Sequence, residues 1–227
     1  MGHQKGEDTH LHPNDHVNCS QSTNDAYPTA IKLAVLLASR NLIRGMRELE
    51  QALAQKAAAF SDVLKMGRTE NQDAVPMTLG QEFSAYATMI GSAIRAVVRA
   101  ADELLDVNMG ATAIGTGINS PPGYADLVTK KLAEVSGFPL RRAHNLVEAT
   151  QNAGVFVQMS ASLKRAAVQI SKVCNDLRWL SSGPRCGLGE ITLPPMQPGS
   201  SIMPGKVNPV IPEVVNQTCY QAMGYDT

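Results

Sequence analysis

Apolar side chains recur at helical spacing along most of this 227-residue chain, and these stripes constrain its fold more than any other feature. In the first stripe an apolar residue returns every third or fourth position from Ile31 to Ala57, and Pro28 stands where helices favour proline, in the first turn. The periodicity predicts helices at residues 28–57, 76–106, 124–135, 146–180, and from 209 or 212 to 227. The expected fold class is therefore mainly α.

The segment at residues 146–180 sets the expected architecture. As one helix it would be about 50 Å long, which is longer than a compact globule of this size needs. Its apolar face is wide, so it needs helix partners on more than one side, and another chain could supply them. We therefore expect an elongated bundle of long helices. The last predicted helix still runs at Thr227, with neither a cap nor a packing partner in view.

Charge and hydropathy narrow the classes of partner. Twenty basic residues balance 20 acidic ones, so the chain has no net charge to attract nucleic acid or an anionic membrane. No apolar run reaches the length of a membrane span, and residues 1–16 lack the apolar core of a signal peptide, which predicts a cytoplasmic protein. The charged fraction of 18% is low, which suggests that other subunits cover part of the surface.

No metal or cofactor site is expected. The four cysteines are far apart and form no C-x-x-C pair, which favours free thiols. They are Cys19, Cys174, Cys186 and Cys219. The histidines of His10-x-His12-x-x-x-His16 are possible ligands, but they stand in a loop-like stretch near the chain start, so we favour a role without metal. The Gly115-x-Gly117 pair lacks the third glycine of a dinucleotide-binding fingerprint and is typical of a turn.

Function is predicted in three polar loops at residues 12–24, 67–73 and 183–208. Residues 199–206 (GSSIMPGK) differ from a phosphate-binding loop in glycine spacing and lack the hydroxyl residue after the lysine. From the residues alone, this segment is either a plain turn or a loop whose hydroxyls and Lys206 hold a carboxylate. Ser22-Thr23-Asn24, ahead of the first helix, is either an N-cap cluster or a contact for a small anion.

Longer motifs resemble the aspartase/fumarase superfamily over essentially the whole chain. The most specific is GSSIMPGKVNPVIPEVVNQ (residues 199–217), which is similar to the signature loop of that superfamily. HPNDHVNCSQSTNDAYPTA (12–30) and GRTENQDAVPMTLGQEF (67–83) also match. Three segments look like the aspartase branch: residues 67–83, NMGATAIGTGIN (108–119) and PVIPEVVNQ (209–217). Two others lean toward fumarases: RWLSSGPRCGLGE (178–190) and CYQAMG (219–224).

The resemblance implies a domain plan. Residues 1–22 would be a remnant of an N-terminal domain and substrate loop, and residues 23–227 a central long-helix bundle that is truncated at its C-terminal end. Members of the superfamily are about twice as long and form homotetramers in which three subunits contribute to each active site. We therefore expect this chain to be a fragment with little or no activity alone.

The resemblance also implies an activity and its residues. The expected enzyme is a lyase that takes the C3 proton of L-aspartate and expels ammonia, through an aci-carboxylate intermediate. By position in the motif, Ser200 matches the catalytic base. Residues that match ligands of the dicarboxylate are Ser22, Thr23, Asn24, Thr69, Ser201, Lys206 and Asn208. The alternatives are a fumarate hydratase and a catalytically incomplete helical fragment.

Two positions depart from the family pattern. Many relatives have histidine after the threonine of the Gly-Arg-Thr motif, paired with a glutamate after the signature loop, but this chain has Glu70 there and keeps Glu213. Two adjacent carboxyls cannot both ionise easily, and a positive charge nearby would relieve their repulsion. Our hypothesis is therefore that Glu70 lies near the substrate ammonium. The alternative is a position without a catalytic role. Tyr225 stands where relatives typically carry asparagine, and we assign it no consequence.

Overall fold

The computed structural model describes residues 2–227 and is mainly α, as predicted. The helices are α1 (Thr23–Ala59), α2 (Leu79–Glu103), α3 (Tyr124–Ser136), α4 (Leu146–Gln151), α5 (Gly154–Leu180) and α6 (Val210–Gly224), preceded by a short π-helical turn (Pro13–Val17). The strands are β1 (Leu64–Thr69), β2 (Gln72–Thr78), β3 (Asp106–Val107) and β4 (Arg141–Arg142). No helix of the described residues is long and apolar enough to cross a membrane.

The chain divides into two compact units, and each is built from two separate stretches of sequence. The first unit contains residues up to Asn41 together with Arg99–Gln158, and the second contains Leu42–Val98 together with Met159–Thr227. The unit boundaries therefore fall within α1, α2 and α5.

Burial of apolar side chains stabilises the second unit. Its core is centred on α2, where Ile90 and Ala93 are fully buried, and α1 contributes Met46 and Leu53 while α5 contributes Val173. The stripe of α2 recurs every third or fourth residue, which is the spacing that places side chains on one helix face. Phe83 packs edge-on against both Phe60 and Tyr86, with ring centroids 5.3 and 5.6 Å apart.

The first unit has a more polar interior. A two-residue parallel ladder pairs Asp106 with Arg141 and Val107 with Arg142. Asn108 directly follows β3 in the sequence, and Asp25 contacts the loop after β3 through the N–H of Gly110. Both side chains are fully buried. Because buried polar groups are costly unless they are hydrogen-bonded, each of them has several partners, described below.

Residues 64–78 form a hairpin, which corrects two expectations. β1 and β2 pair antiparallel, from Leu64 with Thr78 to Thr69 with Gln72, so the predicted polar loop at 67–73 is mostly strand. The second helix begins at Leu79 and not at Pro76. Pro76 lies exposed in β2, where proline is tolerated because an edge strand leaves some backbone N–H groups without a strand partner.

The predicted helix at residues 146–180 is broken, and the prediction of one continuous element was wrong. α4 ends at Gln151 and α5 begins at Gly154. The carbonyl oxygen of the Asn152 side chain accepts the N–H of Gly154 at 2.7 Å, which satisfies a donor at the start of α5. As a result, α1 with 37 residues is longer than α5 with 27.

The last helix also differs from its prediction. α6 ends at Gly224 and not at Thr227, and the N–H of Tyr225 donates to the carbonyl of Gln221 at 3.0 Å. Its end has partners on α5, because Asp226 forms an ion pair with Lys164 at 3.1 Å and accepts a hydrogen bond from Ser160. Pro212, Asn216 and Cys219 are its buried residues.

Candidate functional site

The predicted site residues fall in both units. Ser22, Thr23 and Asn24 belong to the first unit, whereas the hairpin tip at Thr69–Glu70, the signature loop (residues 199–208) and Glu213 belong to the second. Each group is described within its own unit.

Ser22 caps helix α1. Its Oγ accepts the N–H of Asn24 at 3.1 Å, and its own N–H donates to Oδ1 of Asp25 at 2.9 Å. This reciprocal arrangement satisfies donors at the helix start, so the N-cap interpretation is confirmed for Ser22, while its role as a substrate ligand stays a prediction. Thr23 and Asn24 are exposed, and Nδ2 of Asn24 donates to the carbonyl of Ala113 at 2.7 Å. Their role as substrate ligands stays a prediction.

Two buried residues hold this patch, and neither was predicted from the sequence. Oδ2 of Asp25 accepts the N–H groups of Gly110 and Thr112 at 3.1 and 2.9 Å. Nδ2 of Asn108 donates to the carbonyl of Asn24 at 3.0 Å. The spacing of Ser22 and Asp25 is a capping-box signal that could have indicated the local half of this network. The patch and the loop after β3 are thus fixed to each other.

The first unit also contains cavities away from this patch. One of about 550 Å³ is lined by the loop at Gly115–Gly117, the start of α3 and Arg142. Another of about 460 Å³ contains the buried Lys32, whose Nζ donates to the carbonyl of Asp106. Burial lowers the pKa of Lys32, and the negative charges of Asp106 and Glu148 only partly compensate.

His12 and His16, near the chain start, are engaged in local backbone contacts, whereas the ring of His10 packs against that of His3. Nδ1 of His12 accepts the N–H groups of Asn14 and Asp15 at 3.2 Å each, and Nδ1 of His16 accepts the N–H of His12 at 3.0 Å. These bonds shape the π-helical turn at Pro13–Val17. Within residues 2–227, no three His, Cys, Asp or Glu side chains are grouped to hold a metal ion.

In the second unit, Thr69 and Glu70 lie at the tip of the β1–β2 hairpin. Glu70 and Asn71 both have positive φ, at 51° and 63°, which is the backbone of a two-residue type I′ turn. Asparagine tolerates this conformation better than glutamate does. Thr69 and Glu70 are both exposed, so their side chains are available to a ligand or to another chain.

Beneath this tip lies an ion-pair cluster of Lys65, Arg68, Glu82 and Glu190, which we call the Glu190 cluster. Arg68 donates to Oε1 of Glu190, and Lys65 pairs with Glu82 and lies 2.9 Å from Oε2 of Glu190. Burial alone would raise the pKa of Glu190, but the hydrogen bonds and positive charges of Arg68 and Lys65 outweigh it and lower that pKa. Glu190 therefore remains ionised near neutral pH.

The cluster borders a cavity of about 280 Å³. Its lining includes Glu70 and Asn71 from the hairpin tip and Asp176 and Trp179 from α5. Tyr86 donates to Oδ2 of Asp176 at 2.9 Å. Burial, followed by the charge of Asp176, raises the pKa of Tyr86, so this phenol stays protonated.

The signature loop is closed by its own hydrogen bonds. The N–H of Ser200 donates to the carbonyl of Lys206 at 2.9 Å, and the N–H of Lys206 donates to the carbonyl of Met203 at 3.0 Å. The N–H of Met203 in turn donates to Oγ of Ser200 at 3.1 Å. Gly205 has a φ of 84°, a conformation in which glycine avoids strain. Residues 200–206 therefore form a loop with a conformation fixed by its own hydrogen bonds.

The remaining predicted residues flank this loop. Ser201, Lys206 and Asn208 are exposed, Ser200 is half-buried, and the half-buried Glu213 lies in the first turn of α6. Within the described residues, hydrogen bonds of Ser200 and Lys206 stay inside the loop and do not reach the hairpin tip. The chain therefore does not itself join Ser200 to Thr69, and the pairing of Glu70 with Glu213 stays a prediction.

These features place the chain in a known class. It belongs to the lyase family whose model matches residues 1–224. It is similar to the aspartate ammonia-lyase of Helicobacter pylori, with 62% identity over 226 residues, which is 100% of this chain and 48% of that protein. The chain thus spans about half the length of the curated relatives it matches.

Solved structures agree on the fold. A fumarate lyase:delta crystallin from Brucella melitensis, described as bound to cobalt, superposes with a TM-score of 0.95 at 52% identity, over 99% of this chain and 49% of that one. The class II fumarase of Schistosoma mansoni superposes with a TM-score of 0.88 at 35% identity, over 95% of this chain and 48% of that one. In sequence, this chain is more similar to the aspartate ammonia-lyase of Helicobacter pylori than to the class II fumarase of Schistosoma mansoni.

Proposed function

We propose that this chain contributes to an aspartate ammonia-lyase, which converts L-aspartate to fumarate and ammonia. The observation that carries the proposal is the environment of Ser200, whose Oγ accepts the N–H of Met203 at 3.1 Å inside a loop closed onto Lys206. The 62% identity to an aspartate ammonia-lyase over the whole chain supports the choice of substrate.

The chemistry begins with a proton on carbon. The Ser200 alkoxide takes the C3 proton, and the electron pair of that C–H bond moves into the adjacent carboxylate as an aci-carboxylate. The pair then returns to form the C2–C3 double bond while the C2–N bond breaks and ammonia leaves with its electrons. A serine hydroxyl is a weak acid, so its alkoxide needs donors such as the Met203 N–H and a nearby cation such as Lys206.

Binding requires donors for two carboxylates. We propose this role for Ser201, Lys206 and Asn208 in the signature loop and for Thr69 at the hairpin tip, all of which are exposed. Ser22, Thr23 and Asn24 add hydroxyl and amide groups at the start of α1, where the helix dipole favours an anion. We further propose that Glu70 faces the substrate ammonium, with Glu213 nearby.

The whole protein is proposed to be a cytoplasmic homotetramer. Exposed apolar side chains along the helices support burial by other subunits; they include Leu37, Val98, Val157, Val168, Val214 and Tyr220. All four cysteines are free thiols, which suits a reducing compartment.

An activity assay tests the proposal. The chain would replace the matching segment of the Helicobacter pylori enzyme, and fumarate formation from aspartate would be followed by ultraviolet absorbance. We expect turnover by this chimera, a loss of about 10³-fold in kcat for Ser200→Ala, and no change for Ser84→Ala, an exposed serine on α2. The 227-residue chain alone should show little or no turnover.

The same assay separates the alternatives. Fumarate offered with ammonia should give aspartate, and fumarate offered with water alone should give no malate. Malate formation would favour a fumarate hydratase. Equal activity of the chimera and its Ser200→Ala variant would argue against Ser200 as the base. It would favour the third alternative, in which this chain is a helical fragment that is catalytically incomplete.

A further inference from the structure

We propose that Glu190 is a positioning residue that holds the hairpin tip carrying Thr69 in its substrate-binding orientation. This inference rests on the proposed function, because Thr69 is there a ligand of the substrate carboxylate. Glu190 itself lies in the segment after α5 and is not a proposed substrate contact.

The first observation is that Glu190 is fixed by its own backbone. Its N–H donates to the carbonyl of Leu180, the last residue of α5, at 2.9 Å, and the N–H of Gly189 donates to the carbonyl of Ser182 at 2.9 Å. The loop between them therefore folds back on the end of α5. This places the Glu190 carboxylate on a rigid base, ten positions before Ser200 in the sequence.

The second observation is that both basic residues of β1 converge on this carboxylate. Lys65 and Arg68 are three positions apart, and a regular strand would point them to opposite faces. The β1–β2 register is irregular between Met66 and Arg68, and both side chains reach Glu190. Arg68 immediately precedes Thr69, so the carboxylate restrains the residue next to the proposed ligand.

The third observation is that the contacts are shielded from water. The side chains of Lys65, Arg68 and Glu190 are 6%, 15% and 18% exposed. Without the Glu190 charge, Lys65 keeps Glu82, but Arg68 keeps only the exposed Asp73, 3.7 Å away. An incompletely paired charge in such a shielded group is far more costly than one at a surface pair. Outward movement of the hairpin, which hydrates Arg68, would then lower the free energy.

Trp179 provides a local reporter of this movement. It is the only tryptophan of the chain, and the Arg68 guanidinium lies 5.5 Å from the centre of its ring. Both residues line the same cavity. Trp179 is already 38% exposed, so release of the hairpin should increase the access of a soluble quencher to the indole.

The test compares Glu190→Gln and Glu190→Asp with the control Glu134→Gln, which removes one charge from an exposed Lys131–Glu134 pair on α3. In the chimera, Glu190→Gln should raise KM for aspartate about tenfold or more while kcat changes little, because Thr69 would bind ground state and transition state alike. Glu190→Asp, which keeps the charge, should recover part of this loss. In the full chain, Glu190→Gln should increase acrylamide quenching of Trp179 about twofold.

The inference is overturned if Glu190→Gln leaves both KM and Trp179 quenching at the level of the Glu134→Gln control. It is also overturned if kcat falls only in proportion to the unfolded fraction, with KM unchanged, because that is the result of a merely structural role. If the unsubstituted chimera makes no fumarate, the proposed function fails, and Trp179 quenching alone then decides whether Glu190 holds the hairpin.

Discussion

At the scale of single residues, the buried carboxylate of Asp25 shows what a sequence can and cannot predict. Its contact with Ser22 is local, and the serine-to-aspartate spacing is a known helix-start pattern. Its contacts with Gly110 and Thr112 join positions 85 and 87 residues apart. Nothing in the local pattern identifies such distant partners, because they depend on how the chain folds back.

Asp25→Ala should lower the free energy of unfolding by about 3 kcal/mol, since three backbone N–H groups lose a charged acceptor and two of their bonds are buried. Urea denaturation of the full chain measures this change. Asp62→Ala is the matched control, because Asp62 is exposed. A loss no larger than that of the control would show that water replaces these bonds.

At the scale of elements, helix periodicity predicted which segments are helical better than where they begin. Pro76 fits the first turn of a helix as well as it fits an exposed strand, so the sequence alone does not separate the two. The break between α4 and α5 had a signal, because Asn152 and Gly154 are typical of helix boundaries. The apolar stripe continues through them, and this concealed the break.

The junction between α1 and α2 depends on Gly80. A Cβ at this position would lie 2.6 Å from the carbonyl of Ala57 and 2.8 Å from Cα of Ser61, so Gly80→Ala should destabilise the chain by about 2 kcal/mol. Gly45, inside α1, has open space around it. Gly45→Ala should instead stabilise by about 0.5–1 kcal/mol. Thermal unfolding of both variants checks the opposite signs, and shifts in the same direction would contradict the packing argument.

At the scale of the whole molecule, the mainly α class and the family were predictable. Long apolar stripes and long motifs are both recognisable in the sequence without knowing which residues contact one another. The predicted boundary between residues 22 and 23 concerns the longer family fold and stays a prediction. The roles of the site residues stay predictions. The described residues do not bring Ser200 and Thr69 into contact, so sequence motifs carry more information about these roles than any distance in the structure.

The cysteines give a test of burial across the whole chain. Cys19 and Cys186 are exposed, whereas Cys174 and Cys219 are buried. Burial raises the pKa of Cys174 from 9.0 to about 11 and also raises that of Cys219. Even if the reagent reached both thiols equally, the higher pKa of Cys174 would leave about 100-fold less of it as thiolate. A disulfide reagent at pH 8 should therefore label two thiols quickly and two slowly, and all four in urea. Four equal rates in the native chain would contradict this burial.

The division of each unit into two stretches also has a consequence for synthesis on the ribosome. The first unit needs residues 99–158, so residues 2–41 must wait while residues 42–98 are made. The second unit in turn needs residues 159–227. At the usual rate of translation each wait lasts several seconds. During that time the apolar stripe of α1 emerges before its partners exist, and we expect chaperones that bind apolar segments to recognise it.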